Sequence, residues 1–194
     1  MNEVRKIMTV LVISIFFLSG CDYLPIPKEG AIIALGEEDS IQQAMQSQQE
    51  KIHESFTYPM KVVEVENKQV TYMSRLVFDD LLDRELIYQV KENGKLKKMK
   101  RLQTERSRFV YAEDRESLPK EIAQTAVYEG DILIGKERLP HIEAIVILPH
   151  DQYESIEANE KTMHVALLKE EDALALLKYL EEEVALEEAQ YIRK

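Results

Sequence analysis

Apolar residues follow three different patterns along the chain. Residues 7–18 form an uninterrupted run without charge, whereas residues 59–148 contain short β-branched and aromatic runs separated by turn residues. Two other segments, 40–56 and 170–191, have apolar residues three or four positions apart. Short runs between turns are typical of strands, and the wider spacing is typical of helices. The pattern predicts an α+β fold, in which an N-terminal helix and a C-terminal helix pack on a mainly antiparallel sheet.

Turn residues divide the middle segment into hairpins and single strands. Asn93-Gly94 is the strongest hairpin signal, because both residues tolerate the positive φ angles of a tight turn. It joins predicted strands over 85–92 and 95–102, and Asn67-Lys68 joins predicted strands over 61–66 and 69–78. A further turn is predicted at Glu129-Gly130. The remaining predicted strands cover 108–112, 125–128, 131–134, 142–148 and 163–168, and helical turns or short helices are predicted over 79–84 and 119–124.

The helix predicted over 40–56 begins at Ser40, with Gln43 completing a capping box. Its polar face is rich in glutamine and contains Gln42, Gln43, Gln46 and Gln49. This face has too few Lys and Arg residues for an anionic membrane surface. We therefore expect the helix to pack on its own domain, with a membrane-lying or partner-binding helix as the alternative.

The helix predicted over 170–191 has an acidic first turn, which complements the positive end of the helix dipole. Its apolar stripe predicts packing across one face of the sheet and consists of Ala173, Leu176, Leu177, Leu180 and Val184. No repeat of fixed period is present. The length suits one domain, which is predicted over 31–194.

The N-terminus has the pattern of a secretory signal peptide, predicted over 1–20. Arg5 and Lys6 precede the apolar run, and twelve uncharged residues make roughly 18 Å of helix against a hydrocarbon thickness of roughly 30 Å. The run is therefore short for a permanent membrane span. An uncleaved membrane anchor is the alternative.

The residues that follow the run read Leu18-Ser19-Gly20-Cys21. This tetrapeptide resembles the lipobox of bacterial membrane lipoproteins. The resemblance implies that the Cys21 thiol receives a diacylglyceryl group, that cleavage occurs before Cys21, and that an acyl chain such as palmitate is added to its new amino group. It also implies a protein anchored in lipid at the extracytoplasmic face of the cell membrane, since two chains give firm attachment.

Residues 21–30 are predicted to be a lipid-anchored tether. Pro25 and Pro27 flank Ile26 and favour an extended backbone without regular hydrogen bonds. Nine residues at about 3.3 Å each would place the folded part up to roughly 30 Å from the lipid. We therefore expect the domain to lie close to the membrane surface.

Composition excludes several functional classes. The chain has 36 Asp and Glu residues against 25 Lys and Arg residues, a net charge of −11, which argues against nucleic acid as a partner. Removing residues 1–20 removes two cations and one anion, so the mature chain carries −12. The single cysteine excludes an intrachain disulfide and cysteine-rich zinc sites. The covalent lipid on Cys21 is the one attached group that the sequence predicts, and no other cofactor is expected.

The sequence contains no nucleophile elbow, phosphate loop, dinucleotide fingerprint or zinc-protease motif. A metal site could combine His141 and Glu143 with His150 and Asp151, but loop and strand-edge histidines are common in a chain rich in carboxylates and explain these residues better. No metal site is predicted. Paired carboxylates for a hydrolase would have to come from Asp79, Asp83, Glu113 and Asp114.

Residues 95–108 carry seven cations and one anion within an acidic chain. If Leu96, Met99 and Leu102 face inward, a basic ridge formed by Lys97, Lys98, Lys100 and Arg101 faces an envelope protein, lipid headgroups or an anionic wall polymer. A solvated hairpin edge that discourages strand-to-strand aggregation is the interpretation that we favour for these lysines, with the contact surface as the alternative.

These features together predict a membrane-anchored lipoprotein that acts as a non-catalytic binding or interaction module. The alternatives are a small-ligand carrier, with its cavity between the sheet and the C-terminal helix, and an envelope-polymer hydrolase.

Overall fold

The computed structural model describes residues 29–100, 108–139, 142–183 and 188–193. The strands in these ranges are β1 (Glu29–Gly36), β2 (Ile52–Val65), β3 (Lys68–Ser74), β4 (Ile87–Val90), β5 (Leu96–Lys98), β6 (Phe109–Ala112), β7 (Val127–Tyr128), β8 (Ile132–Ile134), β9 (Ala144–Leu148), β10 (Asn159–Lys169) and β11 (Glu188–Arg193). The helices are α1 (Glu38–Gln46), α2 (Arg75–Asp83), α3 (Lys120–Thr125), α4 (His150–Glu154) and α5 (Glu170–Glu183), and a 3-10 turn covers Gln49–Lys51.

Eight of the strands form one large sheet in the order β11-β1-β10-β2-β3-β9-β6-β7. Its pairs are antiparallel except for β3 with β9 and β6 with β7, which are parallel. A small antiparallel sheet has the order β5-β4-β8. The predicted α+β class with a mainly antiparallel sheet is confirmed.

The two faces of the large sheet are covered differently. The front face, which includes Ile33, Met60, Met73, Ile147 and Val165, packs against α2 and the small sheet. The back face is covered at one end by α1 and α5, over Ile32, Ala34 and Ala166, and at the other end by α3 and α4, over Val70 and Val146. The C-terminal helix therefore packs on the sheet as predicted.

A polar strip separates these two helical layers on the back face. It consists of Thr57 and Lys61 on β2 and Thr162 and His164 on β10, which alternate with front-face residues along each strand. Lys61, Thr162 and His164 are buried although they are polar. The centre of the back face is therefore where buried polar groups need partners.

Lys61 has several partners. Its Nζ donates to the carbonyl oxygens of Tyr153, Glu154 and Ile156 at 3.2, 3.2 and 3.0 Å. These carbonyls lie at and just after the C-terminal end of α4, where helix carbonyls lack intrahelical donors. Lys61 therefore joins α4 to the sheet.

The predicted N-terminal helix is too long. Helix α1 ends at Gln46 and begins after Glu37 rather than at Ser40, and the residues from Ile52 onward form β2. Ile52 and Phe56 have helical spacing, but they pair with Leu168 and Val165 of β10. The non-local strand pairing outweighs the local spacing.

The predicted C-terminal helix is also too long. It ends at Glu183, and residues 188–193 form β11 instead. This strand pairs with β1 along Leu35 to Gly30 and thereby satisfies backbone groups that would otherwise lie at a sheet edge. Val184 of the predicted apolar stripe lies outside the described residues. The apolar run 31–35, for which the sequence pattern predicted no element, belongs to β1.

The hairpin at Asn93-Gly94 is confirmed, with β4 and β5 antiparallel and Gly94 at a φ of 72°. The first hairpin turns one residue earlier than predicted, at Glu66 and Asn67, which have φ angles of 52° and 63°. The strand predicted over 69–78 stops at Ser74, whose Oγ accepts a hydrogen bond from the Val77 amide at 3.3 Å and caps α2. The strand therefore ends where Ser74 serves as the N-cap residue of α2.

Gln190 connects the last strand to the small sheet. Its Nε2 donates to the Ile134 carbonyl at 2.9 Å, and its Oε1 accepts from the amides of Lys136 and Glu137 at 3.1 and 3.2 Å. Gly135 lies against this side chain with a φ of 85°. Strand β11 is therefore fixed by side-chain contacts as well as by its pairing with β1.

Candidate functional site

A cavity of about 340 Å³ lies on the back face at the edge of the α1 layer. Helix α1 and the 3-10 turn supply one wall, the first residues of β2 supply another, and β10 contributes His164. The lining residues are Gln42, Met45, Gln46, Gln49, Ile52, His53, Glu54, Ser55 and His164. The cavity therefore lies between the sheet and the N-terminal helix, not beside the C-terminal helix where a ligand cavity was predicted.

An irregularity in β2 shapes this wall. Glu54 pairs with Leu167 of β10 and Ile52 pairs with Leu168, so His53 is an extra residue in the ladder. A bulge of this kind bends the strand and redirects its side chains, and bulges are frequent beside functional sites. The bulge allows Ile52, His53, Glu54 and Ser55 all to line the cavity.

His164 is the most deeply buried polar residue of the cavity, with 8% of its surface exposed. Its Nδ1 lies 3.2 Å from Thr57 Oγ1, and its Nε2 has no hydrogen-bond partner among the described residues. Burial lowers the pKa of His164 below its usual 6.5, so the ring is neutral near pH 7. A neutral imidazole has one donor and one acceptor nitrogen, which leaves one hydrogen-bonding function available.

Glu54 is the one carboxylate among the lining residues, and its side chain lies toward the front face, because Glu54 pairs with Leu167, which packs against the front-face core. Arg84 Nη1 lies 3.9 Å from Glu54 Oε1, and the guanidinium of Arg84 stacks over the Phe56 ring. The charge of Glu54 is therefore partly balanced.

Arg84 belongs to a hydrogen-bonded cluster with Tyr58 and Asp80. Tyr58 donates to Asp80 Oδ2 at 2.5 Å, and Arg84 Nε donates to both side chains at 3.0 Å. Burial and the neighbouring carboxylate raise the pKa of Tyr58. Burial alone would raise the pKa of Asp80, but the hydrogen bonds from Tyr58 and Arg84 outweigh it and lower that pKa. The cluster therefore keeps a protonated phenol and an ionised carboxylate and attaches α2 to β2.

A second concave region is an open trough of about 870 Å³ beside the β4-β5 turn. Glu113, Tyr128 and Asp131 line it, and Arg138 Nη2 lies 2.7 Å from Asp131 Oδ2. Asp131 Oδ1 is buried without a partner among the described residues. The trough is larger than the cavity at His164 and about as open, and Arg138 balances part of the charge of Asp131.

The comparisons with known proteins bear on the whole domain. Residues 29–193 match the model of an uncharacterised lipoprotein family. The chain belongs to this lipoprotein family. A 1.5 Å crystal structure of a candidate lipoprotein from Bacillus anthracis has the same fold, with a TM-score of 0.74 and 21% identity over 84% of this chain and 98% of that one. No curated protein matches the lipoprotein. Its predicted resemblance to bacterial lipoproteins is confirmed, and the family associates it with the membrane or envelope.

The residues predicted to carry the lipid anchor of the lipoprotein, Leu18, Ser19, Gly20 and Cys21, lie outside the described residues. None of the helices within the described ranges is long and apolar enough to cross a membrane.

The basic ridge is only partly described. Lys97, Lys98 and Lys100 are exposed, and Arg101 and Leu102 lie outside the described residues. Lys98 Nζ lies 2.5 Å from Glu85 Oε2, and this hydrogen bond raises the pKa of Lys98. Met99 packs against the front-face core as expected, whereas Leu96 is 39% exposed rather than inward. The lysines therefore project from a hairpin that is exposed along β5.

The candidate hydrolase carboxylates of the lipoprotein have local roles. Asp79 accepts from Arg75 Nε at 2.9 Å, and Asp114 Oδ1 accepts from the Glu116 amide at 2.9 Å. Asp83 is exposed on α2, and Glu113 lines the trough. None of these contacts pairs two of the four carboxylates.

The candidate metal ligands of the lipoprotein are exposed where they are described. Glu143, His150 and Asp151 are at the surface, His150 Nδ1 lies 3.8 Å from Glu154, and His141 lies outside the described residues. Within the described ranges, no group of three or more His, Cys, Asp or Glu side chains could hold a metal ion.

The sequence pattern did not single out His53, Glu54 or His164. Two signals were present. His164 lies between Met163 and Val165 in a segment predicted as a strand, and three of the four glutamines on the predicted helical face, Gln42, Gln46 and Gln49, line the cavity.

Proposed function

We propose that the lipoprotein is a non-catalytic binding module, attached through diacylglycerol on Cys21 to the outer face of the plasma membrane. The observation that carries the attachment is the tetrapeptide Leu18-Ser19-Gly20-Cys21 directly after an apolar run, in a chain whose domain belongs to a lipoprotein family. The covalent lipid is the one attached group in this proposal.

The start of the fold supports a position close to the lipid. Strand β1 begins at Glu29, eight residues after Cys21. An extended chain of this length spans at most about 29 Å. Glu29 pairs with Lys169, and Gly30 pairs with Arg193, so the beginning of β1, the end of β10 and the end of β11 form the end of the sheet nearest the membrane in this proposal.

The glutamine amides of the cavity wall support a binding role, although the titratable residues His53, Glu54 and His164 line the cavity too. Its walls are rich in glutamine amides, which form hydrogen bonds but neither transfer protons readily nor attack substrates. The cavity also favours the small-ligand carrier as a second function, because its volume is within the range of small-molecule sites. In that function the ligand lies against α1 and β10.

The attachment is tested by replacing Cys21 with Ala in cells supplied with labelled palmitate. We expect the Cys21→Ala chain to remain unlabelled and to leave the membrane fraction, because no other thiol is present in the chain. Ser14→Ala, a change inside the apolar run, is the matched control and should leave labelling unchanged. Continued labelling of the Cys21→Ala chain would refute the anchor.

A further inference from the structure

We infer that the cavity between α1, β2 and β10 binds a small neutral saccharide. The inference rests on the proposed binding function and gives that function a ligand class. It concerns the nine lining residues alone and requires no contact with the lipid anchor.

The hydrogen-bonding groups of the walls match hydroxyl groups. Gln42, Gln46 and Gln49 each offer an amide that both donates and accepts, and Ser55 offers a hydroxyl with the same dual character. A sugar hydroxyl is likewise a donor and an acceptor at once. Gln42 already donates one hydrogen to Glu38 at 2.8 Å, whereas the Gln46 and Gln49 side chains are exposed at the rim.

The charge of the walls disfavours anions and free cations. No Lys or Arg residue is among the lining side chains, so a phosphate or carboxylate would meet no compensating charge. The Glu54 carboxylate lies toward the front face, 3.9 Å from Arg84 Nη1, so it offers little attraction for a cation in the cavity. The charges around the cavity therefore favour an uncharged ligand.

His164 supplies the buried polar group that a ligand would satisfy. One of its ring nitrogens is near Thr57, and the other, Nε2, is without a partner among the described residues. A buried polar atom without a hydrogen bond costs free energy, which a ligand hydroxyl would recover. Nε2 is buried in this structure, so the contact requires the atoms that cover it to move aside when the ligand binds.

The apolar part of the lining is small. Met45 and Ile52 provide an apolar patch beside the amides, suitable for the C–H face of a sugar ring but too limited for an acyl chain. The cavity volume of about 340 Å³ is at the lower end of small-molecule sites, which favours a monosaccharide or disaccharide. Size and chemistry therefore agree.

The inference is tested by calorimetric titration of the full chain, in detergent micelles, with N-acetylglucosamine, glucose and glucose 6-phosphate. We expect a neutral sugar to bind and the phosphate ester to bind at least about tenfold more weakly, because no Lys or Arg side chain lines the cavity to compensate its charge. Gln46→Ala should weaken sugar binding about five- to tenfold, the usual effect of losing one hydrogen bond.

Gln43→Ala is the matched control, since Gln43 is exposed on the same helix but does not line the cavity. It should change the affinity less than twofold. The ring protons of His164 should shift in NMR spectra when the sugar binds. Absence of binding by both neutral sugars, tighter binding of the phosphate ester, or equal weakening by the two glutamine variants would overturn the inference.

The Cys21→Ala chain separates this inference from the anchor. It should bind the sugar as the unchanged chain does, because Cys21 is not part of the cavity. Lost membrane attachment with retained sugar binding would support both proposals. Retained palmitate labelling of the unchanged chain without sugar binding would overturn only the saccharide site.

Discussion

Lys61 and His164 are buried polar residues on the same face of the sheet, and their surroundings differ. Lys61 Nζ contacts three carbonyl oxygens near the end of α4, whereas His164 has one side-chain partner, Thr57. A fully hydrogen-bonded lysine is explained by the fold alone. The unpartnered nitrogen of His164 is not, and it lies in the lining of a cavity.

The burial of His164 predicts a pH-dependent stability. Because burial lowers its pKa below 6.5, the unfolded chain takes up the proton at a higher pH than the folded chain does. The contribution of the neutral His164 ring to the free energy of unfolding is fully present above about pH 6.5. It is lost as the pH falls toward the pKa of His164 in the folded chain, at a rate of at most about 1.4 kcal/mol per pH unit.

Urea denaturation at pH 7.5 and 5.5 measures this effect. The His164→Gln chain should lose less free energy of unfolding between the two pH values than the unchanged chain. His150→Gln changes an exposed histidine and should behave like the unchanged chain. His53 and Glu54, the other titratable residues that line the cavity, remain in both variants. An identical pH dependence in all three chains would contradict the prediction.

The sequence contains enough to suspect His164 but not enough to place it. The strand over 163–168 was predicted, and alternation puts His164 opposite Met163 and Val165. Its neighbours on the back face come from α1 and from residues 52–57, which the helical spacing had assigned to one continuous helix. The site could therefore not be predicted without knowing where α1 ends and β2 begins.

At the scale of elements, Gly135 and Gln190 join the end of β8 to β11. A Cβ on Gly135 would clash with the Gln190 amide, and the φ of 85° already disfavours any residue with a side chain. Gly94 has a similar φ of 72° but nothing within 4 Å of an added Cβ. Substitution of Gly94 therefore tests backbone strain alone, whereas substitution of Gly135 tests backbone strain together with a steric clash.

Gly135→Ala should therefore cost about 2–4 kcal/mol of unfolding free energy, and Gly94→Ala about 1 kcal/mol, the cost of the backbone conformation alone. In a chain that also carries Gln190→Ala, the effect of Gly135→Ala should fall toward that of Gly94→Ala, because the clash is removed. Urea denaturation of the single and double variants gives the coupling. Additive effects would show that Gln190 and Gly135 do not interact.

Local signals predicted elements well where the element depends on its own residues. The Asn93-Gly94 hairpin was placed correctly because its turn chemistry lies within four residues. The ends of α1 and α5 were misplaced because strand pairing with β10 and β1 decides them. The run 31–35 lacks alternation because both faces of β1 are covered, so periodicity could not identify it.

At the scale of the whole molecule, charge is unevenly distributed. Residues 95–108 are strongly basic, whereas the chain as a whole carries −11. We propose that the basic ridge contacts an anionic surface, such as lipid headgroups, a wall polymer or an acidic envelope protein. The exposure of Lys97, Lys98 and Lys100 and the proposed closeness of the domain to the membrane support this contact.

Replacing the four ridge cations with glutamine should abolish salt-sensitive association with vesicles that contain anionic lipid, measured by cosedimentation. Each exposed cation near such a surface contributes about 1 kcal/mol, so the loss should be large. A control chain with four glutamines at exposed lysines outside the β4-β5 hairpin should associate more strongly than the ridge variant; these positions are Lys51, Lys120, Lys136 and Lys178. Equal association of the two variants would show that net charge, not the ridge, determines binding.

The point at which the chain enters the sheet has a mechanical consequence. Any pull on the residues before Glu29 acts first on β1, which is an interior strand paired at eight positions with β10 and at six with β11. Because the hydrogen bonds of these ladders lie across the strand direction, tension along β1 loads them together in shear instead of opening them one at a time. Tension applied before Glu29 thus meets a strand that is hydrogen-bonded along both of its edges, and the fold resists being pulled apart from that end.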